Sequence, residues 1–164
     1  MRVLVTGGCG FIGSALVRLL VKGHGYAVCN LDKLTYSGDQ ESVEQVAQDP
    51  NYEFVHGDIC DAQRVSQLLQ RFKPDVIVHT AAETHVDRSI GGPGVFIETN
   101  ILGTFNLLEQ GVAYWTSLPE DRRNRFRFLH VSTDEVFGEL GDEGKFTETN
   151  AYQPNSPYSA SKAA

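Results

Sequence analysis

Short apolar runs alternate with stretches of helical period along the whole chain. Arg2 to Thr6 reads as a buried strand, and Phe11 to Lys22 as a helix with Ile12, Leu16, Leu19 and Leu20 on its apolar positions. Ala27 to Leu31 predicts a second strand, ending at Asp32. Val43 to Gln48 predicts a helix that Asp49-Pro50-Asn51 breaks. Glu53 to His56 predicts a third strand, Asp61 to Phe72 a helix with Asp61 as its N-cap, and Val76 to Thr80 a fourth strand, almost wholly apolar. Phe96 to Trp115 predicts one long helix, Arg127 to Ser132 a fifth strand, and Tyr158 opens a last helix. The polar stretch Pro119 to Arg125 is expected to be a solvated loop.

Strand–helix alternation of this kind specifies parallel strands joined by right-handed crossovers. Helices on both faces also explain strands that are apolar throughout rather than alternating. The expected fold is therefore α/β, a doubly wound parallel sheet of Rossmann type with strand order 3-2-1-4-5. The chain reaches Ala164 inside its last predicted helix, with no C-cap signal and no closing strand. Residues 1–164 are thus expected to form one incomplete domain of something longer.

Composition narrows the partners. The 164 residues are 41% hydrophobic and 21% charged, an ordinary globular balance. A formal net charge of −7 argues against generic binding of nucleic acid or anionic membranes. The first apolar run, Val3 to Val5, is too short for a signal peptide or a membrane span. Cys9, Cys29 and Cys60 are odd in number and unpaired in spacing, which argues against a disulfide framework and against zinc. His79, His85 and His130 lack metal-ligand spacing, so no metal site is expected. His79 and His130 read as strand-borne core histidines, His85 as a loop residue, and Trp115 and the phenylalanines as core.

The first chemistry-bearing motif is Thr6-Gly7-Gly8-Cys9-Gly10-Phe11-Ile12-Gly13, between the first strand and the first helix. Gly7, Gly10 and Gly13 are spaced for a tight turn, a backbone approach to pyrophosphate, and close helix–strand packing. The helix N-terminus offers free N–H groups and a positive dipole end. Asp32 stands about 20 residues past Gly13, where a ribose-binding carboxylate belongs. It favours NAD over NADP because it would repel a 2′-phosphate; Lys33 beside it softens that preference. Asp58, after the third strand, sits where this fold reaches the adenine, or is an ordinary loop acid.

The second motif is Tyr158 with Lys162, four apart and so on one helical face. A nearby ammonium is expected to lower the tyrosine pKa and fit it for base work. The strand end before it, Ser132-Thr133-Asp134-Glu135, lies where ligands sit in open parallel sheets. Without the Tyr–Lys pair, Asp134-Glu135 would read as a solvated loop pair.

Together these residues resemble the extended short-chain dehydrogenase/reductase family, in its nucleotide-sugar branch. Thr6 to Gly13 resembles its glycine motif, Ala81 to Ser89 its fourth-strand loop, Asn100 its helix asparagine, and Tyr158 to Lys162 its catalytic helix. Thr133-Asp134-Glu135, and Leu31 to Tyr36, resemble the dTDP-glucose 4,6-dehydratases within it. Thr84 stands where that group has a serine, and keeps the hydroxyl. The resemblance implies NAD as cofactor, dTDP-glucose as substrate, a place in dTDP-rhamnose biosynthesis, a cytoplasmic location, and a homodimer built on long helices such as Phe96 to Trp115. It implies cofactor contacts at Gly7, Gly10, Phe11, Ile12, Gly13, Asp32, Lys33, Leu34, Thr35, Asp58, Ile59, Thr80, Ala81, Ala82, Thr84 and Thr99, with Tyr158 and Lys162. Thr84, Thr133, Asp134, Glu135 and Tyr158 would meet the sugar. Thr133, Asp134, Glu135, Tyr158 and Lys162 would carry the reaction, with Tyr158 as base for C4 oxidation, Glu135 as base at C5 and Asp134 as acid at O6. Adjacent carboxylates cannot both ionise cheaply, a route to one that keeps its proton. The alternatives are another nucleotide-sugar dehydratase or 4-epimerase of the branch, or an NAD-binding module without turnover.

Overall fold

Strands β1 (Arg2–Thr6), β2 (Ala27–Asp32), β3 (Tyr52–His56), β4 (Val76–His79) and β5 (Arg127–His130) pair in parallel. Their order is β3-β2-β1-β4-β5, as the alternation predicts. The computed structural model describes residues 1–141 and 143–164. The chain divides into two compact units, one of residues 1–81 and 103–131, the other of residues 82–102 and 132–164.

The first unit holds the sheet. Side chains alternate across its strands, so Leu4, Cys29, Leu31 and Ile77 face one way and Val3, Val5, Val28 and Val78 the other. Helix α1 (Phe11–Arg18), which runs on into a π-helical turn at Leu19–Gly23, covers the second face with Val17 and Val21. On the first face, α2 (Ala62–Phe72) buries Val65, Leu68, Leu69 and Phe72. Asp61 caps α2 by accepting the Arg64 N–H at 2.9 Å, and Lys73 ends it in the left-handed region at φ 51°. Fully burying each such aliphatic side chain stabilises by about 1.5–3 kcal/mol, so this two-sided core is what holds the strand ends in place.

In the second unit, the residues after β4 form α3 (Val86–Gly91), then α4 (Gly94–Phe96) and π-helical turns at Ile97–Gly103. The first unit resumes at Gly103, and α5 (Thr104–Ser117) packs Leu107 and Tyr114 into its core. The predicted long helix thus exists, but its hydrogen-bond pattern changes over residues 97–103.

Three expectations need correction. Residues 40–46 form a 3₁₀ helix instead of an α-helix over 43–48. Asp39 sets its start by accepting the Glu41 N–H. Glu120–Arg125 is a helix, α6, not a loop. It has no buried residue, but acids in its first turn and arginines in its last match the helix dipole. Phe11, Phe105 and Trp115 are 95%, 60% and 41% exposed, so they are surface residues and not core. The three cysteines form no disulfide. Among the described residues no helix is long and apolar enough to cross a membrane, and no cluster of His, Cys, Asp or Glu could hold a metal.

Candidate active site

The glycine loop follows β1, where the strand order turns from β1 to β4, the switch point at which open parallel sheets bind ligands. Gly7 has φ +73°, and a Cβ there would stand 2.6 Å from the Ala81 backbone. A Cβ on Gly13 would stand 2.1 Å from the Gly7 carbonyl oxygen. Both positions therefore require glycine, by conformation and by closeness respectively. Gly10 caps α1 without a side-chain acceptor, which leaves first-turn N–H groups to a ligand. Phe11 and Ile12 stand exposed at that helix start. Thr80 ties β4 to the loop by donating its hydroxyl to the Thr6 carbonyl at 2.6 Å. A cradle that no Cβ could share, at an uncapped helix N-terminus, fits a dinucleotide pyrophosphate.

Asp32 is buried at the end of β2. Its Oδ2 accepts the Cys9 N–H and its Oδ1 the Leu34 N–H, each at 2.8 Å. The carboxylate thus joins the glycine loop to the segment after β2, a structural duty the ribose reading did not foresee. Leu34 takes φ 54°, and the Thr35 carbonyl accepts the Gly38 N–H. Lys33 lies 2.5 Å from Asp58. Burial pushes the Asp58 carboxyl up, but hydrogen bonds from Lys33 and from the Cys60 N–H outweigh it and hold the group below the usual carboxylate range. Ile59 buries its side chain in the core and gives its carbonyl to Asn106. His79 is a core histidine as expected, bracketed by the hydroxyls of Thr6 at 2.7 Å and Thr104 at 2.9 Å. Burial holds the thiols of Cys9 and Cys29 up at about 11 and about 12, so neither is a nucleophile near neutral pH.

The second unit holds the residues expected to carry the reaction. Thr133 caps a 3₁₀ turn, Asp134–Phe137. Its hydroxyl accepts the Glu135 N–H at 3.3 Å and donates to Asp134 Oδ1 at 3.4 Å. Helix α7 (Pro157–Ala163) starts from a reciprocal capping box of Ser156 and Ser159, with Pro157 at its first position. This box fixes Tyr158 on the first turn. Tyr158 is buried, and its ring meets Phe96 edge-on at 6.5 Å. The phenol pKa is raised: burial acts first, a hydrogen bond with Thr133 opposes it, and Glu135 and Asp134 add to the rise. The expected lowering by Lys162 is not seen. The charges that act on the phenol are the carboxylates, and burial holds the Lys162 ammonium itself down at about 8.

The predicted site residues fall into two sets. Gly7, Gly10, Phe11, Ile12, Gly13, Asp32, Lys33, Leu34, Thr35, Asp58, Ile59, Thr80 and Ala81 belong to the first unit. Ala82, Thr84, Thr99, Thr133, Asp134, Glu135, Tyr158 and Lys162 belong to the second. Thr84 is exposed, while Ala82 and Thr99 are half-buried. Two further residues support the second set. Asn100 is buried, and its side chain clasps the Glu83 backbone at 2.8 and 2.9 Å and donates to Ser161 at 2.8 Å. Ser89, which the sequence placed only within the fourth-strand loop motif, accepts the Tyr158 N–H.

The family described as GDP-mannose 4,6 dehydratase matches residues 4–164. The chain is similar to the dTDP-glucose 4,6-dehydratase of Salmonella typhimurium, 52% identical over 173 residues that cover 100% of this chain and 48% of that protein. It is 54% identical over 164 residues to the enzyme of that name from Neisseria meningitidis serogroup B, covering 99% of this chain and 46% of the other. Among solved structures it is similar to DesIV, a dTDP-glucose 4,6-dehydratase from Streptomyces venezuelae with NAD and dTDP bound. The TM-score there is 0.88 at 48% identity, over 99% of this chain and 48% of that one. The UDP-glucose 4-epimerase of Thermus thermophilus in complex with NAD follows at TM-score 0.83 and 35% identity, over 99% and 48% of the two chains. The chain spans about half the length of the curated relatives it matches.

Proposed function

The chain belongs to the GDP-mannose 4,6 dehydratase family, and from that premise we propose that the protein is an NAD-dependent dTDP-glucose 4,6-dehydratase, a carbon–oxygen lyase that yields dTDP-4-keto-6-deoxyglucose and water. The observation that carries the reading is the grouping of Thr133, Asp134 and Glu135 around the Tyr158 phenol, where both carboxylates act on its ionisation. A 4-epimerase needs the tyrosine but has no use for an adjacent acid and base. When bound, NAD would supply the hydride chemistry, as acceptor for the hydrogen of C4 and its donor back to C6. Gly7, Gly10, Gly13 and the start of α1 would hold its pyrophosphate, Asp32 a ribose, Asp58 the adenine edge, and Lys162 the nicotinamide ribose. Tyr158 removes the O4 proton, with Thr133 positioning O4. Glu135 takes the C5 proton that the new ketone acidifies, Asp134 protonates the departing O6, and water leaves. Glu135 then returns a proton to C5.

Single-turnover measurement in the protein at its full natural length tests this reading. Asp134→Asn with Glu135→Gln keeps shape and removes the acid and base. It should still reduce bound NAD when given dTDP-glucose, yet form little or no 4-keto-6-deoxy sugar by mass spectrometry. Tyr158→Phe should instead slow NADH appearance by roughly 10²–10⁴-fold, the usual worth of a general base. Dehydrated sugar at near wild-type rate from the double variant would return the chain to a general nucleotide-sugar oxidoreductase.

The proposal includes a homodimer. Phe105, Leu108, Val112 and Trp115 recur at helical spacing on α5, and each is at least 41% exposed, which supports a helix-on-helix interface. Light scattering tests it, and a monomer at micromolar concentration would remove it.

A further inference from the structure

Helix α7 leaves one first-turn donor that its own cap cannot reach. Pro157 has no N–H. Ser156 Oγ accepts the Ser159 N–H at 3.0 Å, and the Ala160 N–H enters the regular ladder to the Ser156 carbonyl. The remaining donor is the backbone N–H of Tyr158, a buried residue. A buried N–H without an acceptor is costly. Ser89 of α3 supplies the acceptor from 69 positions away, with its Oγ 3.2 Å from the Tyr158 nitrogen. Ser89 is itself 0% exposed. It donates its own proton to the Val86 carbonyl at 2.6 Å, which turns a lone pair toward Tyr158. The other end of the same residue is held as well: the Tyr158 carbonyl accepts from Ser161 Oγ at 2.7 Å, and Ser161 accepts from Asn100 at 2.8 Å.

We propose that Ser89 is a positioning residue for Tyr158. It completes the cap of the catalytic helix at the one position where the reactive side chain must be fixed. This inference rests on the dehydratase reading above. Of the proposed steps, only O4 deprotonation uses the phenol, so loss of Ser89 should slow C4 oxidation and spare the chemistry at C5.

The test uses Ser89→Ala in the protein at its full natural length, assayed well below its melting temperature. NADH appearance in a single turnover with dTDP-glucose should slow about 10-fold, within the roughly 10²-fold that a misplacement near 1 Å can cost. KM for dTDP-glucose should stay within about twofold, because uniform binding is untouched. Exchange of the C5 hydrogen of added dTDP-4-keto-6-deoxyglucose with deuterium from solvent, a Glu135 step, should also stay within about twofold. Ser89→Cys keeps the buried volume but offers only a weak acceptor, so it should behave the same way if the alanine variant folds poorly. Unchanged NADH appearance, or an equal loss in both steps, overturns the proposal. A wild-type protein that forms no NADH from dTDP-glucose overturns the dehydratase reading instead.

Discussion

Asp32→Asn separates the two duties that one carboxylate carries. In the structure, Oδ1 and Oδ2 each accept a backbone N–H at 2.8 Å, from Leu34 and Cys9. An asparagine of the same shape has one acceptor oxygen and one NH₂ group that can only donate. One of the two N–H groups would therefore face a donor, at a position only 7% exposed. The loss is a charge-assisted bond plus an unmet buried donor, worth about 1.5–3 kcal/mol. For a chain of this size that lowers Tm by roughly 3–12 °C. Thermal denaturation without cofactor measures this part, because no ribose is present to contribute. Titration with NAD and with NADP measures the other part. The variant lacks the charge that repels a 2′-phosphate, so the preference for NAD should narrow. A Tm within about 1 °C of wild type would show that the carboxylate does not tie the glycine loop to β2, whatever the titrations gave. An unchanged NAD preference would remove the ribose role and leave the structural one.

Gly13→Ala should abolish measurable NAD binding and destabilise by about 1–3 kcal/mol. The new Cβ meets backbone, the Gly7 carbonyl at 2.1 Å, and backbone cannot rotate away; NAD binding at wild-type affinity would contradict this. Lys162→Met should change how stability varies with pH. Burial lowers the folded-state pKa of Lys162 to about 8 from an ordinary value of 10.5, so between those values the unfolded chain binds the proton and the folded chain does not. Stability from this group therefore rises as pH rises from about 8 to 10.5 and is absent below about 8. Urea unfolding across that window should give wild type a steeper rise with pH than Lys162→Met, and identical slopes would refute the assignment.

The fold was legible wherever a signal is local. Gly7 to Gly13 sits between an apolar run and a helical period, and Asp61 precedes an apolar stripe, so both declared a strand–turn–helix or a cap from sequence alone. Helix α7 was expected from Tyr158 alone, and its cap at Ser156 and Pro157 came from the structure. Helix α6 was hidden because no apolar stripe marks it; charge order and Pro119 make it. Helix α3 was hidden for the same reason, with only Ser89 buried in six residues. At the site, residue types were legible and their electrostatics were not. The four-residue spacing of Tyr158 and Lys162 suggested a lowered phenol pKa. The folded chain reverses the sign, because burial and two carboxylates from a segment more than 20 positions away act on the ring.

That reversal bears on how the two halves of the proposed reaction are joined. Each carboxylate proposed to serve elimination also opposes formation of the phenolate that oxidation needs. Replacing both by amides therefore removes, in one change, the acid and base of elimination and the two charges that raise the phenol pKa. That is why NADH formation is expected to survive in Asp134→Asn with Glu135→Gln while formation of the dehydrated sugar is not.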